Sequence, residues 1–488
     1  MNLFIISLYT IAMAIIFVYS LHALYLVYLR KKYNSLTPQH CKDYQFTEKV
    51  TIQLPVYNEL YVVDRLINKV CNIDYPQHLL EIQVLDDSTD ETTNLIKKIV
   101  EEKKLSGINI THIHRTDRIG YKAGALNHGL QKASGDFIAV FDADFLPEKD
   151  FLKKTLPCFT NANIGMVQTR WEYINEDYSL VTKAQALALD GHFVIEQTAR
   201  NRAGLFINFN GTGGVWKKEC ILDAGNWQHD TITEDLDLSY RAQMRGWKFV
   251  FISDVTCPSE LPAEINSLKS QQFRWTKGAI ETAKKILPQL WKSELPARIK
   301  LFSTLHLTCN IVFPLVLLIA LLNLPLMLIK IEESYTHLFS VMLIFSPAFL
   351  ISFYFYLVAQ KTISPDWKKK IILFPLFMAG NMGLSVNNTR AVVEGLFNKK
   401  TPFIRTPKFS IKNKNDSWQK NKYISEYSVN LYTVIELLIA LYCLAGVAAS
   451  LYFYEIATLP FQLMFFFGFT AVAVLSIKHS GKKKKQGE

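Results

Sequence analysis

At 488 residues, 49% of them hydrophobic, the chain can hold a sizeable folded domain together with membrane segments, because domains usually run roughly 100 to 200 residues. A formal charge of +11 would suit a polyanion, but the basic residues cluster beside apolar runs, at 30–32, 368–370 and 482–485, a membrane-flanking pattern that argues against nucleic acid as a partner. Seven scattered cysteines without a Cys-x-x-Cys pair argue against a disulfide framework or a cysteine-held zinc.

In chain order, the apolar run at 3–29 is about long enough to cross a bilayer. It lacks a basic leader and a small-residue cleavage site, so residues 1–29 read as a retained anchor. Residues 40–297 change character: short β-branched runs at 50–54, 82–85 and 137–141 alternate with polar helical stretches. That alternation predicts an α/β domain with mainly parallel strands, ending in an interfacial helix. Apolar runs at 305–329, 337–359, 430–453 and 459–477 each approach the roughly 20 residues of a spanning helix, which gives paired spans within 301–359 and 430–477. The stretch 371–397 differs, since its second half mixes polar and apolar residues at helical spacing and suits an interfacial helix. With five spans, every basic loop falls on one side, the 399–422 region and the 478–488 tail included. The positive-inside rule then puts the α/β domain in the cytoplasm.

Ligand loops of such sheets gather at the carboxyl ends of the strands, and three of those ends are acidic. The first strand closes with Leu54-Pro55-Val56-Tyr57-Asn58-Glu59, the second with Asp86-Asp87-Ser88-Thr89-Asp90, the third with Asp142-Ala143-Asp144. Carboxylates two apart in extended chain share a face, and such a pair suits one hard cation, Mg2+ or Mn2+, together with substrate phosphates. A single acidic end would be a solvated turn or a helix cap. Three on successive strands point to one ligand crevice, where a carboxylate meets base or ribose and Tyr57 supplies an aromatic edge.

Three further segments carry chemistry. In Gly120-Tyr121-Lys122-Ala123-Gly124 the glycines allow close backbone approach and Lys122 can face phosphate; the alternative is an ordinary helix. Thr233-Glu234-Asp235 opens a helical stretch, either as a cap or as the source of a base, Asp235, that removes a proton from a sugar hydroxyl. In Gln271-Gln272-Phe273-Arg274-Trp275 the guanidinium can hold a departing diphosphate and the indole can stack on a sugar, with packing as the alternative. No Walker A pattern and no Gly-x-Gly-x-x-Gly fingerprint occurs, so a P-loop nucleotidase or a dinucleotide oxidoreductase is unsupported.

Taken in order, Asp87, Asp142-x-Asp144, Thr233-Glu234-Asp235 and Gln271-x-x-Arg274-Trp275 resemble the processive family 2 glycosyltransferases, from the 50s to about 410. The 120–126, 209–216 and 246–249 segments look closest to the cellulose synthase-like A and C proteins, and bacterial cellulose synthase catalytic subunits share the motifs. The resemblance implies a GT-A-type (Rossmann-like) domain with an α-helical transmembrane region. It also implies inverting transfer of a hexose from UDP-glucose or GDP-mannose onto a growing β-linked glycan, with accessory export proteins as further partners.

By that resemblance Asp235 is the general base, with Glu234 and Arg274 beside it. Asp142 and Asp144 hold the diphosphate and metal, and Asp87 contacts the nucleotide, with Pro55, Tyr57, Glu59 and Lys122 around the donor. Gln271, Arg274 and Trp275 border the acceptor, and Gly211 and Thr212 line its path. Within 371–428, Pro402-Phe403-Ile404-Arg405-Thr406-Pro407-Lys408 looks like a gating loop that closes over the nucleotide through Thr406 and Lys408, although Arg405 stands where the family has valine. Two alternatives stand beside this reading: a glycolipid-forming transferase acting on ceramide or diacylglycerol, and a non-catalytic transporter or scaffold. The expected location is the plasma or inner membrane of a bacterium, or the Golgi of a eukaryote.

Overall fold

The computed structural model describes residues 1–33, 44–331, 336–401, 405–419, 421–423 and 430–480. Positions 402–404, which open the gating-like motif, and the tail lysines at 482–485 lie outside the described residues.

The α/β unit is built on seven strands, β1 (Val50–Val56), β2 (Leu80–Asp86), β3 (Ile110–His114), β4 (Phe137–Val140), β5 (Ile164–Tyr173), β6 (Gly214–Lys217) and β7 (Lys248–Ser259). They form one sheet in the order β3-β2-β1-β4-β6-β5-β7. β1, β2, β3 and β4 run parallel, whereas β6 is antiparallel to both β4 and β5. The central strand β1 is buried on both faces. Val50, Ile52 and Leu54 lie fully buried on one side, each worth about 1.5–3 kcal/mol relative to exposure. On the other side Thr51 and Gln53 are equally buried, and Gln53 Nε2 donates to Gln83 Oε1 at 3.1 Å, so the polar residues of this face find partners within the sheet.

Chain order reverses at β1, with β2 on one flank and β4 on the other. A crevice therefore opens beyond their carboxyl ends, at the switch point where such folds bind ligands.

Among the described residues, five helices are long and apolar enough to cross a membrane: Asn2–Lys32, Ala297–Ile331, His337–Ile363, Leu431–Tyr452 and Leu459–Lys478. A sixth candidate, Trp367–Gly383 followed by Ser385–Leu396, is bent by 46° at the junction. Its polar second half packs on the long Ile265–Lys292 helix, where Asn387 Nδ2 donates to the Lys269 carbonyl at 3.0 Å. That same long helix carries Gln271, Arg274 and Trp275, and it connects sheet to apolar helices through a buried ion pair, Lys269 with Glu436 at 2.7 Å.

Candidate functional site

Parallel register sets the first wall, the one the sequence assigns to the donor. Val56 of β1 lies opposite Asp86 of β2, and Gln53 of β1 opposite Val140 of β4, so the residues that follow each strand emerge side by side. Asp87 is gripped by both arms of Arg115, at 2.8 Å from Nε and 2.5 Å from Nη2, a fork that fixes the carboxylate plane. Arg118 lies over the Tyr57 ring at 3.2 Å from its centroid. Asp142 meets Lys122 Nζ at 2.6 Å, and the same ammonium donates to the Gly211 carbonyl at 2.8 Å. Burial pushes the Asp142 pKa up while Lys122 opposes it. For Lys122 burial works against the charge, but Asp142 and Glu234 outweigh it and raise its pKa.

The 405–408 segment arrives from about 150 positions later in the chain than β7 and closes this wall. Lys408 Nζ lies 2.7 Å from Asp144 Oδ2 and donates to the Glu260 carbonyl at 2.9 Å. Arg405 meets Glu59 at 2.8 Å and donates to the Tyr57 carbonyl at 3.2 Å. Even so, burial outweighs Arg405 and pushes Glu59 up to about 7.

The facing wall comes from two helices. Thr233 precedes the Glu234–Met244 helix without capping it: its hydroxyl pairs instead with that of Thr282 at 3.2 Å. Glu234 and Asp235 stand half-buried in the first turn, and no ion pair reaches either among the described residues. Burial raises both pKa values; for Glu234 the neighbouring Asp235 adds to the rise, and for Asp235 Lys122 opposes it. Gly211, in left-handed backbone at φ +82°, lets the chain pass beneath this carboxyl. A Cβ there would lie 3.0 Å from Asp235 Oδ2 and 3.3 Å from Lys122 Nζ. On the long helix, Arg274 Nη2 donates to Thr406 Oγ1 at 2.7 Å, and Trp275 lies beside Trp171 with ring centroids 6.5 Å apart.

These groups surround one pocket of about 240 Å3. Every candidate site residue predicted from the sequence lines it except Thr212, which is buried behind the wall, where its hydroxyl accepts from the Asp142 backbone N–H at 2.9 Å. Arg115, Arg118, Trp171 and Glu260 carried no expectation from the sequence. Arg115 and Arg118 had a signal, two guanidiniums just ahead of Gly120-Tyr121-Lys122; the others become neighbours only through the fold.

Residues 48–278 match the family model described as "Glycosyltransferase like family 2". The chain is 42% identical over 250 residues to a glucomannan 4-beta-mannosyltransferase 7 of Arabidopsis thaliana, covering 50% of this chain and 45% of that one. It is 39% identical over 266 residues to glucomannan 4-beta-mannosyltransferase 1 of Oryza sativa subsp. japonica, covering 54% and 50%. The chain thus spans about half the length of the curated relatives it matches. Among solved structures, the mannosyltransferase PcManGT of Pyrobaculum calidifontis, in complex with GDP-Man and Mn2+, superposes with a TM-score of 0.57 at 18% identity, over 81% of this chain and 100% of that one, and shares its fold.

Proposed function

We propose, from the family 2 glycosyltransferase domain that residues 48–278 form, that this protein is an inverting hexosyltransferase extending a β-linked glycan from a nucleotide sugar. The observation that carries the reading is the opening of Asp142, Asp144, Asp235 and Arg274 onto a single pocket. Asp235 takes the proton of the acceptor hydroxyl as that oxygen attacks the anomeric carbon. The bond from that carbon to the diphosphate breaks, and the nucleoside diphosphate leaves. Arg274 and Lys408 face the charge that develops on the leaving group. Asp87 and Tyr57 receive the nucleoside, and Trp275 with Gln271 receives the acceptor sugar.

The donor set fits a divalent cation. Asp142 and Asp144 offer only carboxylate oxygens, and each now rests on a lysine ammonium, a positive charge in the position where a cation belongs. Mg2+ or Mn2+ held by these two residues with the substrate phosphates would supply Lewis-acid stabilisation of the diphosphate.

The names of the relatives favour mannose as the hexose, and GDP-mannose beside UDP-glucose as the donor to try first. The five apolar helices favour an integral membrane enzyme with its domain on the cytoplasmic side, handing the glycan outward, with accessory export proteins on the far side. The test is purified protein in vesicles, fed labelled GDP-mannose or UDP-glucose with Mg2+ or Mn2+. The expected product is alkali-stable polymer, with linkage analysis to identify it. A product found only in the chloroform-soluble lipid fraction would replace the glycan acceptor with ceramide or diacylglycerol.

A further inference from the structure

Outside the pocket, β2 and β3 build a second cluster. His112 and His114 are two apart on β3 and so share a face, and the parallel register puts Asp86 of β2 opposite His114. Their side chains converge: His112 Nε2 lies 2.9 Å and His114 Nδ1 3.0 Å from the same oxygen, Asp86 Oδ2. All three ligating atoms fall within 4.8 Å of one another. The carboxylate is fixed before any ligand arrives, because Asp86 Oδ1 accepts from the Ser88 N–H at 2.8 Å and the residue is fully buried. His112 is 15% and His114 36% exposed, so the open side of the cluster faces solvent, from which an ion and a water ligand can enter.

The geometry points to a second metal site here, a two-histidine, one-carboxylate centre for a borderline transition ion such as Zn2+ or Co2+, separate from the hard-cation pair Asp142 and Asp144. Imidazole nitrogens select such ions, whereas Mg2+ prefers oxygen alone. The fit needs little movement. A tetrahedral centre with arms of about 2.0–2.1 Å has ligand-to-ligand edges of about 3.3–3.4 Å, a few tenths longer than the distances from the histidines to Asp86. Each coordinating nitrogen turns its lone pair to the ion, and the ring proton moves to the other nitrogen. The site also touches the donor wall, since the Arg115 N–H donates to the Asp86 carbonyl at 2.9 Å and the Arg115 side chain holds Asp87. A filled centre would therefore stiffen the strand ends that carry that clamp.

The experiment is equilibrium dialysis of the full-length, tag-free protein in detergent against Zn2+ alone, with Mg2+ in excess to occupy the oxygen-only pair, and Co2+ absorption as a second probe of nitrogen ligation. One equivalent of Zn2+ should bind to the wild type and equally to Asp142→Asn. His112→Ala and His114→Ala should each weaken it by roughly a hundredfold or more, while their thermal unfolding without metal stays cooperative. Wild-type protein that binds no Zn2+, histidine variants that bind it as tightly, or loss of binding in Asp142→Asn would each overturn the assignment.

Discussion

The two walls of the pocket handle their carboxylates differently. On the wall proposed for the donor each one touches a cation: Asp87 with Arg115, Asp142 with Lys122, Asp144 with Lys408, Glu59 with Arg405, all at 2.5–2.8 Å. On the wall proposed for the acceptor Glu234 and Asp235 have no such contact among the described residues, and burial lifts both above the ordinary carboxylate range. A carboxylate already resting on a cation can exchange that partner for a metal or a ligand. One without a cation responds to burial by binding a proton more readily, which is the property a general base requires near neutral pH. Pairing alone does not decide the matter, because burial also raises Glu59 despite Arg405 and Asp142 despite Lys122.

The sharpest way to break this contrast is Asp235→Asn. Transfer should fall by about 10²–10⁴-fold in kcat while nucleotide binding, measured by calorimetry, persists; unchanged turnover would remove Asp235 from the reaction. In the wild type the raised pKa fixes the sign of the pH dependence. Activity depends on the ionised form, so it is present above that pKa and declines as pH falls through it, at a pH above the ordinary aspartate value of about 3.9. A kcat profile flat down to that value would contradict the assignment.

Lys408→Ala comes next, with roughly a hundredfold loss of kcat expected from removing one preorganised charge opposite the leaving group, and a loss seen only in KM would make Lys408 a ground-state contact. Gly211→Ala should cost about tenfold. It places a methyl 3.0 Å from Asp235 Oδ2, and left-handed backbone disfavours any Cβ by roughly 1–2 kcal/mol; steady-state rates at matched folding, checked by circular dichroism, measure it. The smallest effect belongs to Arg405→Val, which frees Glu59 at the pocket edge. A few-fold rise in donor KM is expected, and an unchanged KM would mean the Arg405–Glu59 pair serves the loop's folding alone.

The strand ends were legible in the sequence because β-branched runs closed by Asp and Glu are local signals, and the pocket gathers Asp87, Asp142 and Asp144 as the spacing implied. What was not legible is which cation answers which carboxylate. Lys122 stands 20 positions from Asp142, and Lys408 stands 264 from Asp144; no period or motif encodes such pairs, which exist only in the folded chain, the second of them only once the 405–408 segment lies on the sheet. Thr212 shows the converse failure. The family resemblance implied that the 209–214 segment lines the acceptor path, but the left-handed turn at Gly211 directs the Thr212 hydroxyl to the Asp142 backbone. The antiparallel direction of β6 was equally hidden, since a four-residue strand reads the same in either sense.

The Ile265–Lys292 helix sets the limits of any portable catalytic module. At about 1.5 Å per residue its 28 residues span roughly 42 Å, with Arg274 and Trp275 along it and Lys269 fastened to an apolar helix. An excision at residue 278, where the matched domain ends, would sever this strut midway and leave Thr406 and Lys408 behind. The excised piece would keep the sheet and all three acidic strand ends, yet it would lose the partners of Arg274 and Asp144. The complete pocket is therefore a property of the joined halves, and the apolar helices act as the jig that holds its helical wall against the sheet.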